Sequence, residues 1–146
     1  MRILMTKHTQ RITSSFDARW SPEVGKVGFL MKPACLVRCF ADFGLTTTEA
    51  LVLDLLFSYW YDYEKPPEAF PSSNTIARSL GIAYSTVGTH IRSLEAKGYI
   101  ARIEGTGTSN KYDLQPTIEE VGYHVSRRHL PENEEPHPYK LVDHPP

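Results

Sequence analysis

Between Phe70 and Leu114 the apolar positions of this chain change rhythm twice. Ser72 and Ser73 offer hydroxyls for a helix start, Ile76, Ala77 and Leu80 then recur at helical steps, and Gly81 follows as a left-handed stop. Ile82 plugs the turn. Val87, Ile91 and Leu94 are spaced by four and three residues, which predicts a second helix over about Ser85 to Lys97, ended by Gly98. From Tyr99 to Ile103 apolar and polar residues alternate. Gly105 to Ser109 is a glycine-rich loop, and Lys111 to Leu114 alternates again, so the two runs pair as a β-hairpin.

The flanking pattern is also helical. Thr46-Thr47-Thr48-Glu49 has the spacing of a capping box, and the helix it opens runs through LVLDLLFSYWYDY towards Pro66-Pro67. Val52, Leu55, Leu56, Tyr59 and Tyr63 share helical spacing, while Leu51, Leu53 and Phe57 add apolar surface elsewhere. Such a helix needs cover on more than one face, from an N-terminal helix or a second subunit. Pro33 is placed to open a short helix with Leu36, Val37 and Phe40 along one side, stopping near Gly44. Val27 to Met31 reads as a short strand, and Met1 to Ser21 has no steady period. Beyond the hairpin, Thr117 and Glu120 hold capping-box positions for a last helix with Ile118, Val121 and Val125 on one face. Gly122 weakens that helix by about 1 kcal/mol against alanine, and Arg127 and Arg128 suit its C-terminal end. The expected organisation is a basic, partly flexible arm over 1–26, a central domain over 27–115, a helix over 116–130 and a disordered, acidic, proline-rich tail over 131–146.

The 146 residues, 40% apolar and 23% charged, suit one globular domain with a tail. The net charge of −1 conceals a segregation. Residues 1–40 hold seven Lys and Arg against two acids, residues 41–71 one against six, residues 72–115 five against three, and residues 116–146 three against six. Positive charge therefore sits in the arm and in the two-helix and hairpin segment, where phosphate could be met locally, with modest long-range attraction. Two cysteines are too few for a disulfide scaffold and fit a reducing compartment. No leader or membrane span is read from the pattern, so the expected location is cytoplasmic, without membrane association.

With Val87, Ile91 and Leu94 facing inwards, the second helix presents Tyr84, Ser85, Thr86, Gly88, Thr89 and Arg92 outwards, with His90 beside them. Short side chains let a helix backbone approach a groove, hydroxyls bond phosphates or base edges, and Arg92 suits guanine or phosphate. A solvated outer face is the plain alternative for any such helix.

In this order, helix, glycine turn, helix, strand, glycine loop, strand, the chain resembles the winged helix-turn-helix family over Leu45 to Leu114. The segment FPSSNTIARSLGIAYSTVGTHIRSLEAKGYIARI is similar to its first helix, turn, recognition helix and first wing strand, and GTGTSNKYDL to its wing. The wing is similar to those of plasmid and phage replication proteins, a pattern shared with bacterial transcription regulators. The resemblance implies a mainly α fold with a small β-hairpin wing. It also implies double-stranded DNA as partner, with the recognition helix in the major groove and the wing on the backbone. By position, Tyr84, Ser85, Thr86, Thr89 and Arg92 become groove or phosphate contacts, with His90 adjoining. Arg102, Asn110 and Lys111 become wing contacts, and Ser73 and Asn74 flank a phosphate at the first helix's start. Two departures matter. Ala83 stands where the family often has a capping Ser or Thr, so Ser85 or the loop must serve the helix end. Gly88 and Thr89 replace frequent Arg or Lys, so affinity per subunit should be modest and a homodimer is expected on DNA.

Other chemistry is less supported. Cys35 and Cys39 lie one helical turn apart without matching ligands for zinc, so no metal is expected. His124, His129, His137 and His144 fall in a segment read as weakly structured. The aromatic run Tyr59-Trp60-Tyr61 with Tyr63 suits core or a dimer seam better than base stacking. No nucleophile elbow, phosphate loop or carboxylate pair is visible, so neither an enzyme nor a cofactor is expected. The rival function is a protein-interaction module on the same scaffold. The N-terminal Arg2, Lys7, Arg11 and Arg19 could add phosphate contacts or remain solvated.

Overall fold

The computed structural model describes residues 15–38, 40–60, 62–104 and 110–127. Cys39, Tyr61, the wing tip 105–109, the tail and Arg2, Lys7 and Arg11 lie outside them. The chain divides into two compact units, Met1–Met31 and Lys32–Pro146.

Among the described residues of the first unit two short helices form, in a stretch where the sequence pattern showed no steady period. Residues 15–19 form α1, and Pro22–Lys26 form α2. Ser21 accepts a hydrogen bond from the Val24 N–H at 3.2 Å, and Pro22 occupies the first turn, where its missing N–H is no loss. Phe16 stacks on Phe29, ring centres 4.7 Å apart. The strand expected over Val27 to Met31 does not form. Val27 caps α2 by donating to the Val24 carbonyl at 3.2 Å, and Gly28 turns the chain at φ +96°.

The second unit begins with α3 (Ala34–Arg38) and a 3-10 turn (Phe40–Phe43). Cys35, Leu36 and Phe43 are buried and Val37 is 58% exposed, so Val37 does not share the inward side with Leu36. Gly44, at φ +71°, then delivers the chain to α4 (Thr47–Ser58). Thr46 caps α4 by accepting from the Glu49 N–H at 3.2 Å. Val52, Leu53 and Leu56 are its buried apolar residues; Leu51 points out. The helix stops at Tyr59, short of Tyr63, and the Trp60 indole N–H donates to the Lys65 carbonyl at 2.9 Å in the turn that follows.

Glu68–Ala69 form a two-residue strand, β1, which the sequence pattern did not reveal. It is followed by α5 (Ser73–Leu80), α6 (Tyr84–Ala96), β2 (Ala101–Ile103), β3 (Lys111–Asp113) and α7 (Gln115–Arg127). The sheet is antiparallel in the order β1-β3-β2, with Ala69 opposite Tyr112 and Tyr112 opposite Arg102. Ile76 of α5, Val87, Ile91 and Leu94 of α6, and Tyr99, Ile100, Tyr112 and Leu114 around the hairpin are all buried with the inner face of α4. Each buried Leu or Ile of this set contributes roughly 1.5–3 kcal/mol of transfer free energy.

The last helix starts at Gln115, so Thr117 is not its cap. Thr117 is buried, and its hydroxyl donates to the Tyr99 carbonyl at 2.6 Å, tying α7 to the residues before β2. Val121 is buried, Val125 is partly buried and Ile118 is 37% exposed. His124 belongs to this helix rather than to a loose tail, and its ring packs 4.4 Å from that of Phe43.

Candidate nucleic-acid interface

Two helices and a turn build the outward surface. Ser72 caps α5 by accepting from the Thr75 N–H at 3.1 Å. At the other end Gly81 adopts φ +65°, and the Ile82 N–H returns to the Ala77 carbonyl at 3.1 Å. A left-handed residue here lets the chain reverse within three residues, and glycine takes that conformation without the strain a Cβ would bring. This turn aims α6 away from α5 with Val87, Ile91 and Leu94 pressed into the core.

Those three residues dictate what the other side of α6 presents. Tyr84 is 62% exposed, and Ser85, Thr86, Thr89 and Arg92 are exposed. Gly88 and His90 are half-buried at its margin. The Arg92 guanidinium folds back along the helix: a Cβ built on Gly88 would stand 3.1 Å from its Nη1. Gly88 thus leaves room both for that guanidinium and for a close backbone approach. Arg92 makes no ion pair among the described residues. Ala83, the residue before α6, offers no side-chain cap, and Ser85 does not replace it. Thr86 Oγ1 donates to the Ala83 carbonyl at 2.8 Å, and among the described residues no side chain is seen to cap the first-turn N–H groups. Ser73 is half-buried and Asn74 exposed at the start of α5.

The wing residues do not gather on one surface. Arg102 lies opposite Tyr112 in the ladder and Lys111 opposite Ile103, so Arg102 and Lys111 occupy opposite faces of the hairpin. Each already has an acid. Arg102 Nε donates to Glu95 Oε1 at 2.8 Å, a bond that pushes the Arg102 pKa further up. Lys111 Nζ stands 2.7 Å from Glu68 Oε2. Asn110 immediately precedes β3, and the Tyr112 hydroxyl has its pKa raised mainly by burial.

One structural feature behind the surface had no local signature. Glu49 is 4% exposed, and both its carboxylate oxygens accept from Lys97 Nζ, at 3.0 and 2.7 Å. The same ammonium donates to the Gly44 carbonyl at 2.7 Å. The start of α4 is thereby clamped to the end of α6. Burial alone would raise the Glu49 pKa. Hydrogen bonds from Lys97, Thr46 and Ser93, with the Lys97 charge, outweigh it and hold the carboxyl below its ordinary 4.5.

Residues 44–100, from the glycine before α4 to the end of the turn after α6, match the family model described as a helix-turn-helix domain. Over this stretch the chain is similar to a helix-turn-helix domain. In this domain α5 and α6 are the paired helices and α4 is the support beneath them, and β2 and β3 extend it into a winged helix-turn-helix fold. A comparison with curated proteins finds no significant match. Similar solved structures include the homodimeric winged helix-turn-helix DNA-binding domain of a possible ArsR-family transcriptional regulator from Mycobacterium bovis. It is 19% identical, with 75% of this chain and 98% of that one covered, at a TM-score of 0.41. AbfR of Staphylococcus epidermidis is 20% identical over 88% of this chain and 82% of its own, at 0.39. The multiple antibiotic-resistance repressor MarR from Listeria monocytogenes is 16% identical over 91% and 87%, at 0.39. Among the described residues no helix is long and apolar enough to cross a membrane, and no group of three or more His, Cys, Asp or Glu could hold a metal.

Proposed function

We propose that this helix-turn-helix domain binds double-stranded DNA by laying α6 in the major groove, with the hairpin beside it on the backbone. The observation that carries the reading is the outward face of α6. From Tyr84 to Arg92 it is short, hydroxyl-lined and uncovered, and it ends in a guanidinium without an ion-pair partner among the described residues. Ser85, Thr86 and Thr89 can bond phosphates or base edges, and Arg92 can take guanine O6 and N7 or a phosphate. Ser73 and Asn74 stand at the start of α5, where helix N–H groups favour an anion. The role is regulation of transcription, or replication and maintenance of a mobile element. A homodimer supplies the affinity that one module with so few unpaired cations lacks.

The rival, a protein-docking winged helix, is separated by salt. A labelled duplex recovered by selection from a random pool is titrated with protein at increasing salt. DNA binding through this face requires log affinity to fall steeply with log salt, and Arg92→Ala to flatten that slope by about one unit and weaken binding by about 1–3 kcal/mol. A selection that yields no enriched duplex, or an Arg92→Ala protein with unaltered affinity and slope, overturns the proposal.

A further inference from the structure

Glu95 is the one acidic residue of α6, and it follows Arg92 by three residues, half-buried at the margin of the outward face. Its carboxylate takes the Nε hydrogen bond of Arg102, reaching from α6 to β2 across 2.8 Å. The two side chains are 30% and 46% exposed, so the pair is reachable by water and by any polyanion seated on this face. A duplex lying on Tyr84 to Arg92 would bring phosphates close to this junction of helix and wing. There a carboxylate repels them, and the nearest wing cation is already engaged.

We propose that Glu95 restrains DNA binding by the α6 face, by keeping Arg102 in an intramolecular ion pair and setting a negative charge beside the incoming phosphates. The proposal rests on the reading of α6 as the DNA-facing helix. The chemistry is an exchange of one acceptor for another. Arg102 touches Glu95 through Nε, which leaves its terminal N–H groups able to meet a phosphate. An ion pair this exposed is weak and exchangeable, so it tunes affinity without obstructing the site. Lys111 and Glu68 make a pair of the same kind, but on the other face of the hairpin, away from Arg102. Glu68 is therefore a matched control for the change in net charge.

The test compares wild type, Glu95→Gln and Glu68→Gln for binding to a short labelled duplex of mixed sequence, across a range of salt. Glutamine keeps an oxygen for Arg102 and removes only the charge. A unit charge about 7 Å from a phosphate in water changes affinity about threefold. Glu95→Gln is expected to bind about threefold more tightly at low salt, with a salt slope steeper by up to about one unit as Arg102 turns to phosphate. The gain should fade towards high salt, and Glu68→Gln should gain less. If wild type binds and Glu95→Gln binds equally or more weakly, Glu95 orients Arg102 rather than restraining it. If Glu68→Gln gains as much, the effect is not particular to the Glu95–Arg102 junction. Either result overturns the proposal and leaves the DNA reading standing. If neither wild type nor Glu95→Gln binds at low salt, both fall together. Binding by Glu95→Gln alone supports both.

Discussion

Replacing Lys97 with methionine removes the cation that two buried oxygens of Glu49 share. The carboxylate side chain is 6% exposed and would keep only its hydrogen bonds from Thr46 and Ser93. Breaking a buried pair from one side costs about 3–5 kcal/mol where water is excluded. The Lys97 side chain is 34% exposed, so water can reach the carboxylate from that direction, and the expected cost is about 2–3 kcal/mol. Glu49→Gln should cost less, about 1 kcal/mol, because glutamine keeps the shape and Lys97 retains the Gly44 carbonyl and water. Urea unfolding followed by circular dichroism measures both, and the double variant gives the coupling directly. The pH dependence adds a second check. Glu49 has a lowered pKa in the folded protein, so the stability it brings is complete above the unfolded value of 4.5 and is lost as pH falls through the lower folded value. In Lys97→Met the burial of Glu49 is less opposed and its pKa rises. The deficit against wild type should therefore shrink as the solution is acidified and the carboxyl takes up a proton. A Lys97→Met protein as stable as wild type, or one less affected than Glu49→Gln, or a deficit that grows in acid, would refute the buried clamp.

Two further substitutions test the turn that aims α6. Gly81→Ala puts a Cβ on a residue at φ +65°, with nothing within 4 Å to clash, so backbone strain alone should lower stability by about 1 kcal/mol in the same unfolding assay. Ala83→Ser supplies the cap that α6 lacks at a residue whose φ of −65° and ψ of 135° already fit one, and should raise stability by about 0.5–1 kcal/mol. Loss of affinity in Arg92→Ala and gain in Glu95→Gln, read on one labelled duplex, complete the set; both should leave the thermal midpoint nearly unchanged, since both side chains lie at the surface.

The helix pair was legible because its instructions are local. Ser72, the Ile76–Leu80 stripe, Gly81 and the Val87–Ile91–Leu94 stripe each act within one or two turns, and each was found where the pattern put it. The outward residues of α6 follow from the inward ones by helical geometry alone. The expectations that failed needed a partner. Val27–Met31 has strand-like residues but no strand to pair with, while Glu68–Ala69, hemmed by Pro66, Pro67 and Pro71, pairs because β3 offers its edge and Ala69 fits against Tyr112. Thr117 had the spacing of a cap but spends its hydroxyl on the Tyr99 carbonyl, eighteen residues away.

Spacing and caps along the chain were sufficient for two helices at a glycine corner, a hairpin after them and a face of small hydroxyls, because backbone hydrogen bonds and helical periodicity act over a few residues. Charge placement was another matter. That Lys97 serves Glu49, that Glu95 holds Arg102, and that Lys111 and Arg102 look to opposite sides were settled only when α4, α6 and the sheet packed together. Ion pairs form by distance in space, and segments far apart in sequence acquire those distances only in the folded core.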